Sequence, residues 1–291
     1  MEKRTDKKTR IRRILLCTGL CILGLILLNR IVYALILPEI FFHSVYHSDA
    51  YETVEKDPAV REIAVETENG TLYGWETGDD PDRVVLYFGG DNIDSSAWIS
   101  KLKETGFSAF DDAVLITFDY PTFGRSGGSI GEEAFYRAAD AFFKYAEQRY
   151  PDAKRYLIGY SLGCAAAIKA ASDYETDGLI LIAPMYDATS VYFPRESFLY
   201  YWFGATATVK LPNNTIVPTV EERTLVFAGE EDSMTKEEDI RALCALFHEE
   251  PILIVLPDCG HNDYWAREET EEAIRTFLDG SYGEEPCLAE P

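Results

Sequence analysis

The amino-acid sequence predicts an α/β fold with a mostly parallel, wound sheet, preceded by one N-terminal transmembrane helix. Three observations lead there. From residue 84 onward, short apolar runs alternate with segments of helical periodicity, which implies right-handed crossovers and functional groups gathered at the strand carboxyl ends. One strand-like run, Tyr156-Leu157-Ile158, leads into Gly159-Tyr160-Ser161-Leu162-Gly163 and then an alanine-rich helix. Residues 14–37 form a separate apolar stretch that only Asn29 and Arg30 interrupt.

Ahead of that stretch, residues 1–13 crowd Lys3, Arg4, Lys7, Lys8, Arg10, Arg12 and Arg13. By the positive-inside rule this basic tail stays cytoplasmic and the rest crosses the cell membrane. The span 14–37 exceeds the ~20 residues needed to cross a bilayer, with Arg30 able to snorkel toward the far headgroups. A cleaved signal peptide would need a shorter apolar core ending at a small-x-small site, and no A-x-A pattern is present. The expectation is an uncleaved, single-pass signal anchor with the larger domain extracytoplasmic. Residues 38–62 read as a juxtamembrane connector or first docking helix.

Residues 63–67 and 71–75 alternate about Asn69-Gly70, a strong hairpin signal, and residues 79–82 close that unit. The continuous apolar run 84–88 is what a parallel strand buried on both faces looks like. Gly89-Gly90-Asp91-Asn92 ends it, and a helix with Trp98, Ile99 and Leu102 follows. Strands recur at 113–118, 178–183, 224–228 and 251–256. Over 132–149, Phe135, Ala138, Ala139, Phe142, Phe143 and Ala146 recur at three- and four-residue steps, marking a helix; further helices fall at about 236–247 and 264–278. The domain thus covers 63–280, with a tail at 281–291. Residues 184–222 break the rhythm and are too aromatic for disorder. They read as a short cap insert, a small packing element that also roofs an apolar pocket. Tyr192, Phe193, Tyr201 and Trp202 of the insert, with Tyr160, are the pocket candidates.

With 47% hydrophobic and 13% aromatic residues, the chain is globular in composition. Its net charge of −23 argues against nucleic acid, because phosphate binding needs clustered Lys and Arg. Residues 1–37 hold eight of the 27 basic residues but only Glu2 and Asp6 of the 50 acidic ones. The body is therefore more acidic than the whole and repels anionic surfaces at long range. None of the six cysteines sits in a C-x-x-C pair, nor does a histidine complete a metal pattern, so no metal is expected. Cys17 and Cys21 lie in the apolar run, while Cys164, Cys244, Cys259 and Cys287 read as packed free thiols. Cys164 is close to Ser161 and Cys259 to His261, which leaves one bridge between them as the alternative.

Glycines around a serine between strand and helix fit a nucleophile elbow, whose tight turn admits no Cβ on either side and presents the hydroxyl at a helix N-terminus. A serine hydroxyl is a weak nucleophile and needs a base, which in turn needs a carboxylate to hold its tautomer. Of four histidines, His43 and His47 adjoin the membrane run and His248 ends a helix beside Glu249 and Glu250. His261, in Asp258-Cys259-Gly260-His261-Asn262-Asp263, directly follows the last strand and so shares an edge with Ser161. The preceding strand leads to Gly229-Glu230-Glu231-Asp232, where Asp232 is the candidate acid; its bland alternative is a helix N-cap. Backbone N–H groups of Leu162 and Asp91 are the oxyanion candidates.

These segments, with Asp119-Tyr120-Pro121-Thr122-Phe123-Gly124-Arg125-Ser126-Gly127-Gly128, resemble the α/β-hydrolase superfamily over 63–280. Within it the chain is similar to the branch of Bem46-like proteins and the α/β-hydrolase domain-containing 13 and 17 type of membrane-associated serine hydrolase. Two departures stand out: Gly89 replaces a frequent His and Asp91 a frequent Asn, and the aromatic insert is long. The resemblance implies hydrolysis of an ester, thioester or amide through Ser161, His261 and Asp232 without a cofactor. Expected partners are a small, lipid-like acyl substrate and the membrane. The alternatives are a serine peptidase or amidase on the same fold, and a hydrolase-fold binding protein without turnover.

Overall fold

The computed structural model describes residues 2–282 except 79 and 81. Cys287, most of the C-terminal tail and part of the 79–82 turn lie outside the described residues. Eight strands form one sheet: β1 (Val60–Thr67), β2 (Gly70–Thr77), β3 (Arg83–Phe88), β4 (Val114–Phe118), β5 (Lys154–Tyr160), β6 (Gly178–Ile182), β7 (Thr224–Gly229) and β8 (Ile252–Leu256). They lie in the order β1-β2-β4-β3-β5-β6-β7-β8. The β1–β2 and β2–β4 pairs are antiparallel and the rest of the sheet is parallel.

Strand alternation divides the core in two. Leu86, Ile116, Leu157, Leu179 and Val226 face one layer, while Val85, Leu115, Ile158, Ile180 and Phe227 face the other. Because both faces are covered, β3, β4, β6 and β7 read as unbroken apolar runs. The first layer takes α4 (Glu132–Arg149) and α5 (Gly163–Asp173); the second takes α3 (Ser95–Thr105) and α9 (Glu268–Leu278). Each large apolar side chain so buried is worth about 1.5–3 kcal/mol, and Phe118 stacked on Phe142 at 3.8 Å shows how closely the first layer packs.

Three local readings change. The hairpin loop is Glu68-Asn69 rather than Asn69-Gly70, because Thr67 pairs with Gly70. Gly70 alone takes positive φ, at 125°, and Asn69 instead spends its amide on the Ser129 carbonyl at 2.8 Å. The N-terminal helix α1 (Glu2–Phe41) runs through Pro38. Proline has no N–H to give Ala34, and Thr208 Oγ1 donates to that carbonyl instead, at 3.1 Å. Residues 38–62, read as a connector or a first docking helix, dock, and Val60 already begins β1: Leu37, Phe41 and Phe42 are buried in the first core layer, with Phe42 against Phe135 at 5.5 Å, and α2 (Ser48–Glu55) docks through Val54.

The 184–222 insert holds α6 (Phe198–Gly204), α7 (Asn213–Ile216) and a short 3-10 turn at Val217–Thr219. Its second half packs into the core through Val209, Leu211, Val217 and Val220, whereas α6 buries none of its residues. The last helices are shorter than expected: α8 covers Glu237–Cys244, and a 3-10 turn at Tyr264–Ala266 precedes α9.

Candidate active site

Ser161 sits between β5 and α5 with φ of 52°, a left-handed conformation that a side chain other than glycine adopts only when held there. Its N–H donates to the Ile182 carbonyl at 2.9 Å, tying the turn to the neighbouring strand. A Cβ on Gly159 would come within 2.5 Å of the Cys164 backbone, and one on Gly163 within 2.0 Å of the Phe88 carbonyl oxygen. Both glycines are thus required by contact with backbone, so α5 can start directly after the serine.

The loops after β7 and β8 bring Asp232 and His261 to the same edge. His261 Nε2 lies 2.9 Å from Ser161 Oγ, and Nδ1 lies 2.7 Å from Asp232 Oδ2. With its proton on Nδ1, the imidazole donates to the carboxylate and accepts from the hydroxyl. Asp232 does not cap a helix, since Lys236 holds the cap position of α8 and has no side-chain bond. Its Oδ1 accepts the Met234 and Thr235 N–H groups, both at 2.9 Å, and Oδ2 accepts the Thr235 and Tyr264 hydroxyls at 2.7 and 3.3 Å. Burial pulls the Asp232 carboxyl upward, but the bonds from His261 and Thr235 outweigh it and hold the group below the usual carboxylate range. The acid is therefore charged where it meets the imidazole.

A family model described as serine aminopeptidase, S33 matches residues 99–223, which include Ser161 and stop before Asp232 and His261. α/β-Hydrolase domain-containing protein 17B of Xenopus laevis is 26% identical over 171 residues, 56% of each chain. Protein 17C of Homo sapiens is 26% identical over 169 residues, 56% of this chain and 49% of that one. The chain thus spans about half the length of the curated relatives it matches. Among solved structures, Pyrococcus furiosus esterase Pf2001 superposes with a TM-score of 0.64 at 18% identity, over 82% of this chain and 98% of that one. A membrane phospholipase A superposes with a TM-score of 0.59 at 17% identity, over 94% and 99%. The chain has the α/β-hydrolase fold.

In this α/β-hydrolase fold the turn after β3 presses on the elbow. A Cβ on Gly90 would lie 3.1 Å from the Tyr160 ring and 3.7 Å from Ser161 Cβ, so the backbone leading to the Asp91 amide passes beside the serine while Leu162 follows it at the head of α5. The Asp91 carboxyl is pushed up by burial, which the neighbouring His43 and His261 oppose. His43, read from sequence as juxtamembrane, therefore lies within electrostatic reach of Asp91, because α1 ends against the domain.

The pocket candidates separate. Tyr160 anchors the histidine loop, its hydroxyl donating to the His261 carbonyl at 2.6 Å and to Asn262 Oδ1 at 3.1 Å. Tyr192 is within electrostatic reach of Asp91 and meets Phe41 at 5.9 Å, and Phe193 stacks on Phe203 at 4.7 Å. Trp202 instead faces α1, on which α6 leans, and Tyr201 is 66% exposed beside Tyr200. Thr235 and Tyr264 were not singled out from sequence, although Thr235 stands at the Asp-x-x-Thr spacing where a hydroxyl folds back onto a carboxylate. Cys164, Cys244 and Cys259 are buried free thiols, and Cys17 and Cys21 are exposed on α1, so Cys164 and Cys259 form no bridge.

Proposed function

We propose that this chain is a membrane-anchored serine hydrolase cleaving acyl ester or thioester bonds of lipid-like substrates. The observation that carries the reading is the unbroken relay from Ser161 Oγ through His261 to Asp232, at 2.9 and 2.7 Å. Ser161 Oγ attacks the acyl carbonyl carbon as its proton passes to His261 Nε2. Leu162 and Asp91 N–H groups meet the oxyanion, and loss of one such donor costs about 3–4 kcal/mol of barrier. Collapse expels the alkoxide or thiolate, which takes the proton from Nε2 and leaves an acyl-serine. Water then attacks that ester with His261 as base, releasing the acid and restoring Ser161.

The membrane part of the reading places residues 14–37 across the cell membrane as a signal anchor, N-terminus cytoplasmic, hydrolase domain outside. It is supported by α1, long and apolar enough over Thr9–Phe41 to cross a bilayer, and by Leu37, Phe41 and Phe42, whose burial favours a retained helix over a cleaved leader. The likeness to a membrane phospholipase A, which covers 94% of this chain, supports a lipid-like substrate.

A fluorophosphonate probe labels the full chain and not Ser161→Ala; an unlabelled, folded wild type overturns the reading. Amide cleavage is a second reading, favoured by the serine aminopeptidase family model. Comparing aminoacyl amides with acyl esters separates the two. Steady ester turnover abolished by His261→Ala excludes a binding protein without chemistry.

A further inference from the structure

A groove of about 650 Å³ runs between α1 and α6, walled by Leu25, Val32, Phe198, Leu199, Trp202 and Phe203 among others. That volume lies within the ~300–1,000 Å³ of small-molecule sites. Its depth is fixed by the basic residues. With Arg13 at one membrane face, ~20 residues at a rise of ~1.5 Å carry the helix across ~30 Å of hydrocarbon and out near Tyr33. Groove residues 22–32 then lie at the depth of the far leaflet's lipid tails, and α6 reaches down to them. The insert has the surface for such a place: Phe198 is 71% exposed and Leu199 47% exposed, a poor arrangement in water and an ordinary one among acyl chains.

From the groove an aromatic wall leads toward the serine. Phe203 packs on Tyr33 and on Phe193, both at 4.7 Å. Tyr192 then meets Phe41 and comes within electrostatic reach of Asp91, itself a neighbour of His261.

We propose that the groove between α1 and α6 binds the acyl chain of a membrane lipid and guides its carbonyl to Ser161 from the bilayer side. This rests on α1 being an anchor and Ser161 the nucleophile. A chain moving from tails to groove never crosses water, where each exposed methylene lowers its population about fourfold. The groove is accordingly needed for membrane-embedded, long-chain substrates and dispensable for short esters arriving from water.

The test uses the full chain in phosphatidylcholine vesicles containing phosphatidylcholine with a diazirine on its acyl chain. Leu25→Trp and Leu199→Trp fill the groove, Leu199→Asp places a charge in it at an exposed position, and Leu23→Trp, exposed on α1 outside the groove, is the control. Lipid adducts are expected on residues 198–203 of the wild type and the control, and are lost in the three groove variants. Hydrolysis of long-chain lipid falls about tenfold in those variants relative to p-nitrophenyl acetate, as expected when a chain loses its packed site. Fluorophosphonate labelling of Ser161 verifies that each site is intact. Adducts unchanged by the groove variants, adducts absent from 198–203 in the wild type, or chain-to-chain adducts there in their place overturn the proposal. If the wild type is unreactive to the fluorophosphonate yet gives the adduct pattern, the hydrolase reading falls and the lipid groove stands.

Discussion

Asp232 shows how one side chain is prepared for a role at a distance. Its carboxylate receives two backbone N–H groups, two hydroxyls and the imidazole, so each oxygen is engaged and the acid stays charged. Asp232→Asn preserves the shape but turns an amide N–H toward Nδ1, favouring the tautomer whose Nε2 carries a proton and cannot accept from Ser161. The expected loss is on the order of 10³–10⁴-fold in kcat for an acyl ester, with fluorophosphonate labelling slowed in parallel. Asp119, buried behind the site, behaves in the opposite sense. Burial, with Asp94 and Glu62 nearby, pushes its carboxyl up to about 7 despite the Ser95 N–H it accepts at 2.7 Å. Because its folded pKa lies above the unfolded one of about 3.9, the folded state holds the extra proton between the two values. Its contribution is present below the unfolded pKa and disappears as pH rises through about 7. Denaturant melts from about pH 5 to pH 8 should lower wild-type stability relative to Asp119→Asn by a few kcal/mol; parallel profiles would contradict this.

At the scale of elements, what was legible in the sequence follows from local physics. Strands buried on both faces announce themselves as apolar runs, and Ser161, Asp232 and His261 can be placed because each follows such a run. Contacts between distant segments were not legible. The N-terminal span was read as ending at residue 37, and α1 continues through Pro38 because the hydroxyl that replaces the missing donor belongs to Thr208, far along the chain. Trp202 and Tyr201 were read as lining one pocket with Tyr160, whereas Trp202 walls the groove against α1 and Tyr201 is exposed, because nothing local says that α6 leans on α1. His43 looked peripheral for the same reason: its place depends on Leu37, Phe41 and Phe42 entering the core. The helix end is accordingly a structural part of the domain. Phe42→Ala should cost about 3–5 kcal/mol, lowering the melting temperature by roughly 10 °C for a domain of this size. Leu27→Ala, at an exposed position on the same helix, should leave it unchanged, and equal melting temperatures for the two variants would refute the docking role.

For the whole molecule, the decisive quantity is charge. The chain carries −23 overall, and its basic residues concentrate at the N-terminal end, so the domain around Ser161 bears more negative charge than the total suggests. A field of that sign acts on any substrate before contact, and its reach is set by salt. The Debye length is ~30 Å at 0.01 M and ~8 Å at 0.15 M ionic strength. Two water-soluble esters of equal chain length, one neutral and one carrying a carboxylate, isolate the effect, because the groove does not select between them. At low salt the anionic ester should show the smaller kcat/KM, and added salt should raise its value severalfold while leaving the neutral ester unchanged. The difference belongs in kcat/KM rather than kcat, since the field governs encounter and not the acyl transfer once the ester is bound. A selectivity against the anion that persists unchanged at high salt would point instead to a short-range cause, with Asp91 beside His261 the first residue to replace.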